Sequence, residues 1–148
     1  MSLLMAFPLL FLIKPGESQT NISDNNINTP IRSFCGRNPP IIISNFIQKR
    51  NSTLGEIRRQ LSSNGVFYAT AQSLADGDSV SGAALCRNYL TTAQCVACFD
   101  VGVSQLISCV TGNGAYVFLD NCFVRYSAAS QNCSSSVSKQ LLSLFLEI

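Results

Sequence analysis

The sequence predicts a small α+β domain in which two helices pack on one face of an antiparallel sheet. Helical patterns and short segments rich in β-branched and aromatic residues follow in the order strand, helix, two strands, helix, strands. Hydrophobic residues make up 47% of the 148 residues, which is enough for a core and excludes a disordered chain. Seven cysteines indicate disulfide reinforcement, provided the chain is exported.

The first two predicted elements are a short strand and an amphipathic helix. The strand covers Ile31–Cys35 and precedes the turn signal GRNPP. Ser44 is the predicted N-cap of the helix, and Gly65 in SSNG is the predicted stop. Apolar residues that share one face of this helix are Ile43, Phe46, Ile47, Leu54, Ile57 and Leu61.

The remaining elements are two strands, a second helix and further strand material. Residues 66–72 and 80–86 are predicted strands joined by an Asp/Gly-rich loop. The second helix starts after Thr91, because Thr91 and Gln94 form a capping-box pattern, and extends to about Cys109. Its expected core residues are Val96, Phe99, Val103, Leu106 and Ile107. Residues 116–126 are rich in aromatic and β-branched residues and are predicted to form strands. Their aromatic residues Tyr116, Phe118 and Tyr126 could belong either to the core or to a binding surface.

The composition argues against catalysis. The chain has no histidine, which removes Ser-His-Asp and Cys-His nucleophiles and imidazole ligands for zinc. Asp76 and Asp78 lie in a loop-like segment typical of a solvated turn. The sequence therefore predicts a protein that is not an enzyme and that holds no metal ion or cofactor. The net charge of +2 comes with no basic run, so neither nucleic acid nor an anionic membrane is the predicted partner.

An apolar segment near the start predicts export. Leu3–Ile13 is an uninterrupted apolar run of eleven residues, which suits a signal peptide and is too short to span a bilayer. Gly16 and Ser18 supply small residues at a cleavage site, so residues 1–18 are the predicted signal peptide. Residues 19–30 form a polar, Asn-rich flexible lead-in. The competing interpretation, a buried element of a cytosolic protein, must explain seven cysteines without metal chemistry.

Other features agree with secretion into the apoplast. Three N-glycosylation sequons are present, at Asn21, Asn51 and Asn132. The C-terminal segment QLLSLFLEI is short and contains Glu147, so it is not predicted to span a membrane.

The segment CRNYLTTAQCVAC contains Cys86, Cys95 and Cys98. Three explanations compete for the closely spaced pair Cys95 and Cys98. A redox-active pair requires a helix N-terminus within a βαβ unit, which the element order does not supply. A zinc site requires a second paired ligand motif, and none follows. The preferred interpretation is that each cysteine ties the second helix to another element.

The pattern C-x8-C-x2-C resembles the signature of the plant stress-antifungal domain, the family of ginkbilobin and of cysteine-rich receptor-like kinase ectodomains. The resemblance runs from Phe34 to about Tyr126 and includes ISC at Cys109 and GAYVFLDNCFVRY around Cys122. It assigns residues 31–127 to a ginkbilobin-like domain. It also implies two helices on a five-stranded antiparallel sheet, with the disulfides Cys35–Cys109, Cys86–Cys95 and Cys98–Cys122.

The same resemblance leaves Cys133 without a partner in the domain. Because a second copy of the domain often follows the first in this family, the tail of residues 128–148 is interpreted as the stub of a tandem domain. The alternative is a disulfide-linked dimer through Cys133.

The resemblance also implies an altered sugar site. In mannose-binding members an Asn follows the first cysteine, an Arg lies six residues before the last family cysteine and a Glu lies five residues after it. Those positions are Gly36, Tyr116 and Ser127 in this sequence. Two functions therefore remain open. One is a secreted interaction module or receptor ectodomain in plant defence or extracellular signalling, and the other is a carbohydrate-binding antifungal protein with a changed site. The expected partner is an extracellular protein or a cell-wall glycan.

Overall fold

A computed structural model describes residues 28–74, 79–110 and 112–128. Several predictions lie outside these residues: the signal peptide, most of the lead-in, the segment with Asp76 and Asp78, and the tail with Cys133. The sequons at Asn21 and Asn132 also lie outside.

The chain folds into two layers, with two helices on one face of a five-stranded sheet. The sheet order is β1-β4-β5-β3-β2, and every neighbouring pair is antiparallel. The predicted α+β class, with two helices, five strands and three disulfides, is confirmed. The elements are β1 (Pro30–Cys35), α1 (Ile43–Leu61), β2 (Tyr68–Ser73), β3 (Val80–Cys86), α2 (Thr92–Ile107), β4 (Gly114–Leu119) and β5 (Cys122–Ala128).

The two helices begin differently. Thr91 caps α2 as predicted, because its hydroxyl accepts from the Gln94 amide at 3.2 Å and the Gln94 side chain accepts from the Thr91 amide at 2.9 Å. The prediction that Ser44 is the N-cap of α1 is wrong. The chain turns from extended to helical at Ile42, which places Ser44 inside the first turn, and no side chain caps α1. Gly65 adopts φ +77° in the turn that follows α1, whose C-cap is Ser62.

The core lies between the helices and the sheet. α1 packs mainly on β2 and β3, and α2 packs on β4 and β5. Phe46, Leu54, Ile57 and Leu61 of α1 are buried, whereas Ile43 at its start is 50% exposed. In α2, Phe99 and Leu106 are buried. The prediction that Ile107 faces the core is wrong, since the residue is 45% exposed. Ile107 lies one residue, about 100° of helix rotation, beyond Leu106, which occupies the core side.

The disulfides attach α2 to the centre of the sheet. Cys86 on β3 and Cys122 on β5 face each other in the strand register. They bond to Cys95 and Cys98, which lie about one turn apart on α2. The third bond, Cys35–Cys109, joins the end of β1 to the segment after α2. These pairs are those that the family resemblance implies. Cys95 and Cys98 do not pair with each other, so their spacing serves attachment of the helix.

Close packing between α2 and the sheet requires a glycine. A Cβ atom on Gly102 would lie 2.8 Å from Val124 Cγ2 and 3.2 Å from Leu119 Cδ1. Gly55 on α1 has no such neighbour, because nothing lies within 4 Å of its hypothetical Cβ. The two glycines thus differ in environment although both are helical.

We expect the same substitution to have opposite effects at these glycines. Gly55→Ala should raise the free energy of unfolding by about 1 kcal/mol through helix propensity. Gly102→Ala gains the same propensity but overpacks the core, so a net loss of up to about 2 kcal/mol is expected. Urea unfolding of both variants measures the difference. Equal stabilisation by both would contradict the packing at Gly102.

Candidate functional site

Neither of the two described helices lies on the opposite face of the sheet, and we call this face the open face. Side chains alternate along each strand, so residues such as Val117 and Val124 point to the core and their neighbours point to the open face. The helices contact only the other side. The open face is therefore the broad surface of the described fold that is free to bind a partner.

Strand register arranges the open face in three rows across the sheet. The aromatic row contains Tyr68, Leu85, Phe123, Phe118 and Arg32. The central row contains Thr70, Ala83, Arg125, Tyr116 and Phe34. The small-residue row contains Gln72, Ser81, Ser127 and Gly114. Gly36 extends the last row, because its amide donates to Gly114 O at 2.7 Å.

Four aromatic side chains form a continuous cluster on the open face. Phe118 and Phe123 have ring centroids 4.5 Å apart, and Tyr116 meets Phe118 edge-on at 5.7 Å. Phe34 stacks on Tyr116 at 5.4 Å and is 46% exposed. Phe123 itself is buried beneath its neighbours. The cluster, defined as Phe34, Tyr116, Phe118 and Phe123, is thus closely packed and partly accessible to a ligand.

Of the three aromatic residues with two predicted roles, Tyr126 belongs to the core. It is 1% exposed, and its hydroxyl donates to Leu106 O at 3.4 Å. Tyr116 and Phe118 lie on the open face, where they are only partly buried. The sequence pattern did not separate these cases because both faces of the central strands are apolar.

Charge is distributed unevenly between the two faces. On the helical side, Arg58 forms a bidentate salt bridge with Asp100, with two hydrogen bonds of 2.9 Å. Hydrogen bonds from Arg59 and Gln60 lower the pKa of Glu56 to about 2. On the open face, no strand position of the described rows is acidic, and Arg32 and Arg125 have no ion-pair partner among the described residues. The described strand positions of the open face therefore carry positive charge only.

A groove of about 410 Å³ crosses the open face over β2, β3 and β5. Tyr68, Leu85 and Phe123 form its apolar side, and Ala83 lies at its floor. Polar side chains that line it are Thr70, Gln72, Ser81 and Arg125. Its volume falls within the range of small-ligand sites, about 300–1,000 Å³. Sequence reasoning missed these residues, because they come from three strands that meet only in the folded sheet.

The three positions that the family resemblance assigns to a sugar site, Gly36, Tyr116 and Ser127, meet at one corner of the open face. Ser127 faces Gly114 in register, Gly36 bonds to Gly114 from the other side, and Tyr116 is the next open-face residue along β4. A Cβ atom on Gly36 would lie 2.9 Å from Gly114 O and 2.8 Å from Asn113 Oδ1. The asparagine of the mannose-binding pattern would therefore fit at position 36 only if the backbone of Gly114 and the side chain of Asn113 shifted.

Two further predicted features concern glycans and metals. Asn51 lies exposed on α1, where its side-chain oxygen accepts from Arg50 Nε at 3.3 Å.

Over residues 28–74, 79–110 and 112–128, no group of three or more His, Cys, Asp or Glu residues could hold a metal ion. Within the same residues, neither helix has the length and apolar character needed to cross a membrane.

A two-layer α+β fold with three disulfides defines a cysteine-rich domain. The chain belongs to the salt stress response/antifungal family, whose family model matches residues 34–129. It is 32% identical to cysteine-rich repeat secretory protein 9 of Arabidopsis thaliana over 116 residues, covering 74% of this chain and 34% of that protein. It is 28% identical to the antifungal protein ginkbilobin-2 of Ginkgo biloba over 89 residues, covering 59% and 66%.

Solved structures share the fold. The tandem DUF26 ectodomain of the Arabidopsis thaliana cysteine-rich receptor-like protein PDLP5 matches with a TM-score of 0.53 at 29% identity, covering 68% of this chain and 44% of that one. The corresponding ectodomain of PDLP8 matches with a TM-score of 0.60 at 23% identity, covering 70% and 46%. The chain thus spans about a third of the secretory protein and less than half of each tandem ectodomain.

Proposed function

We propose that the chain is a secreted, disulfide-stapled binding module of plant defence or extracellular signalling that recognises an extracellular protein or a cell-wall glycan. The observation that carries this proposal is the open face, which presents an aromatic cluster and two unpaired arginines among the described residues. Aromatic side chains and arginine are the groups most enriched at binding hot spots. The family membership and the secretory and antifungal names of the relatives support the extracellular setting.

Export follows from the same proposal. Residues 1–18 are removed as a signal peptide, and the three disulfides form in an oxidising compartment. Asn51, exposed on α1, is then a candidate for glycosylation on the side away from the open face, as are Asn21 and Asn132 elsewhere. Cys133 either pairs with a second chain or belongs to a further domain after residue 128.

A matched pair of variants tests whether the protein binds its partner through the open face. Phe34→Ser with Tyr116→Ser removes two members of the aromatic cluster, and Ile41→Ser with Val110→Ser removes apolar side chains that are 82% and 62% exposed away from the strands. The purified proteins are incubated with isolated plant cell-wall polysaccharide fractions and with apoplastic proteins. The open-face variant should lose about tenfold or more in retention, since losing hot-spot residues costs about 2 kcal/mol or more.

The control variant should be retained like the unchanged protein. Equal retention of all three proteins, or an equal loss in both variants, would contradict a role for the open face. Retention of none would contradict the proposed function itself.

A second candidate function, carbohydrate binding with a changed mannose site, is supported by the gathering of Gly36, Tyr116 and Ser127 at one corner. Mannose itself should not bind detectably. Losing two hydrogen bonds to charged groups costs about 3–6 kcal/mol, and a monosaccharide held at millimolar strength has only about 4 kcal/mol of binding free energy. Calorimetric titration with mannose checks this. A dissociation constant below about 1 mM would contradict the assignment of these positions.

Restoring the residues of the mannose-binding pattern at Gly36, Tyr116 and Ser127 is a gain-of-binding experiment, and the packing at Gly36 limits it. Gly36→Asn would press its side chain against Gly114 O, so this variant is expected to lose about 1–3 kcal/mol of stability through overpacking. Tyr116→Arg with Ser127→Glu leaves that contact unchanged and is the better first step. Its melting temperature shows whether the corner tolerates the new charges before binding is measured.

A further inference from the structure

The groove over β2, β3 and β5 differs in chemistry from the corner that contains the family sugar positions. Its floor is Ala83, which lies between Thr70 on one neighbouring strand and Arg125 on the other. Two strand spacings, about 10 Å, separate the backbones of Thr70 and Arg125. The small side chain between them leaves a gap that opens to solvent on the open face.

The polar groups of this groove are available for a ligand. Ser81 Oγ donates to Ser127 O at 3.5 Å, a long bond. Four other side chains of the groove make no hydrogen bond to any described residue: those of Tyr68, Thr70, Gln72 and Arg125. Arg125 is also the only charged residue among those that line the groove in the described structure. A single fixed cation thus stands among several neutral hydroxyl and amide groups.

We infer that this groove binds a uronic-acid unit of an acidic glycan, with Arg125 on the sugar carboxylate. The inference rests on the proposed function and names its ligand class. Arg binds a carboxylate through two parallel hydrogen bonds. Thr70, Gln72 and Ser81 supply donors and acceptors for sugar hydroxyls. Tyr68, 50% exposed, offers an aromatic surface at the end of the groove beside Leu85.

The proportion of charged to neutral groups favours a glycan over an acidic peptide. A uronic-acid unit has one carboxylate and several hydroxyls, which matches one guanidinium beside three neutral polar side chains. An acidic peptide has a carboxylate on most residues and no side-chain hydroxyls, so only its backbone could contact Thr70, Gln72 and Ser81. A neutral sugar would leave the guanidinium without its partner.

The test is calorimetric titration of the full secreted chain with trigalacturonate. Its fully methyl-esterified form, which keeps the hydroxyls and lacks the charge, is the first matched ligand. A sulfated trisaccharide and a hexaglutamate peptide are the others. Arg125→Gln removes the central cation. Arg37→Gln makes the same change at an exposed arginine in the turn after β1, outside the groove, and serves as the control. Gln72→Ala removes one neutral contact at an exposed position.

Trigalacturonate should bind, and its methyl ester should bind far more weakly. Arg125→Gln should lower the affinity roughly 10- to 100-fold, as expected for a hydrogen-bonded ion pair. Gln72→Ala should lower it by about fivefold, within the range for a neutral hydrogen bond, while Arg37→Gln leaves it unchanged. All variants should keep the melting temperature of the unchanged protein.

Four outcomes would overturn the inference: no binding of trigalacturonate, equal binding of the ester, equal losses in Arg125→Gln and Arg37→Gln, or equal or tighter binding of hexaglutamate or the sulfated sugar. The proposed function is judged separately. If wall material or apoplastic proteins still retain the protein through the open face while trigalacturonate fails to bind, the ligand class is wrong and the binding module stands.

Discussion

Reduction of the three disulfides should unfold the domain under conditions in which the oxidised protein is stable. The bonds close loops with sequence separations of 74, 24 and 9 residues. In the loop-entropy model such loops contribute about 4.5, 3.5 and 2.5 kcal/mol if each is taken alone. The values do not add, because the loops overlap, but even part of their sum matches the whole stability of a typical domain, about 5–15 kcal/mol.

Removal of the bond Cys98–Cys122 should cost more than the lost loop closure alone. Both residues are 0% exposed, so substitution also leaves a void between α2 and β5. Cys98→Ala with Cys122→Ala is expected to cost about 3–5 kcal/mol. Denaturant unfolding of the oxidised, reduced and double-variant proteins gives the three values. A reduced protein that melted at the oxidised temperature would contradict the view that disulfides stabilise this fold.

The second large effect is expected at Phe99, the aromatic residue of α2 that lies against the core. Phe99 is 1% exposed and belongs to the cluster that joins both helices to the sheet. Phe99→Ala should lower the free energy of unfolding by about 3–5 kcal/mol, since the lost burial and the cavity both act against the folded state.

Phe34 provides the matched control. It has the same side chain, but it is 46% exposed on the edge strand β1 and contacts Tyr116 by stacking. Phe34→Ala should cost no more than about 1 kcal/mol, the worth of one aromatic pair. Urea titrations followed by tyrosine fluorescence compare the variants. Equal losses would mean that the open face contributes to stability as much as the core does, which would contradict its assignment as a surface for partners.

Local signals predicted the elements of the fold well where the chain marks them with side chains. The capping box at Thr91 and Gln94 places the start of α2, and the β-branched and small residues of β3 match Val80–Cys86. The start of α1 was misplaced because Ile42 begins the helix without any side-chain cap. The close packing at Gly102 could not be predicted, because a glycine inside a helical pattern indicates a close approach only when the opposing Val124 is known.

The candidate site could not be predicted because it depends on strand order. Alternation along Tyr68, Thr70 and Gln72 indicates that these side chains share one face of β2. It does not indicate that Arg125, more than fifty residues later, lies two strands away in the row of Thr70. The order β1-β4-β5-β3-β2 places β5 beside β3 through nonlocal pairing, which no local propensity encodes. The family positions at Gly36 and Ser127 likewise meet only through Gly114.

The central claim is that the open face is where the protein meets its partner, and a glycan placed there tests it most directly. Gln72→Asn with Leu74→Thr creates a sequon at an exposed open-face position. The glycosylated variant is compared with the same protein after enzymatic removal of the glycan down to its first sugar. Retention by cell-wall polysaccharides or apoplastic proteins should be lost with the full glycan and largely regained on trimming, apart from the loss of about fivefold expected when Gln72 itself is replaced. Retention of the fully glycosylated protein at the level of the unchanged chain would contradict the claim.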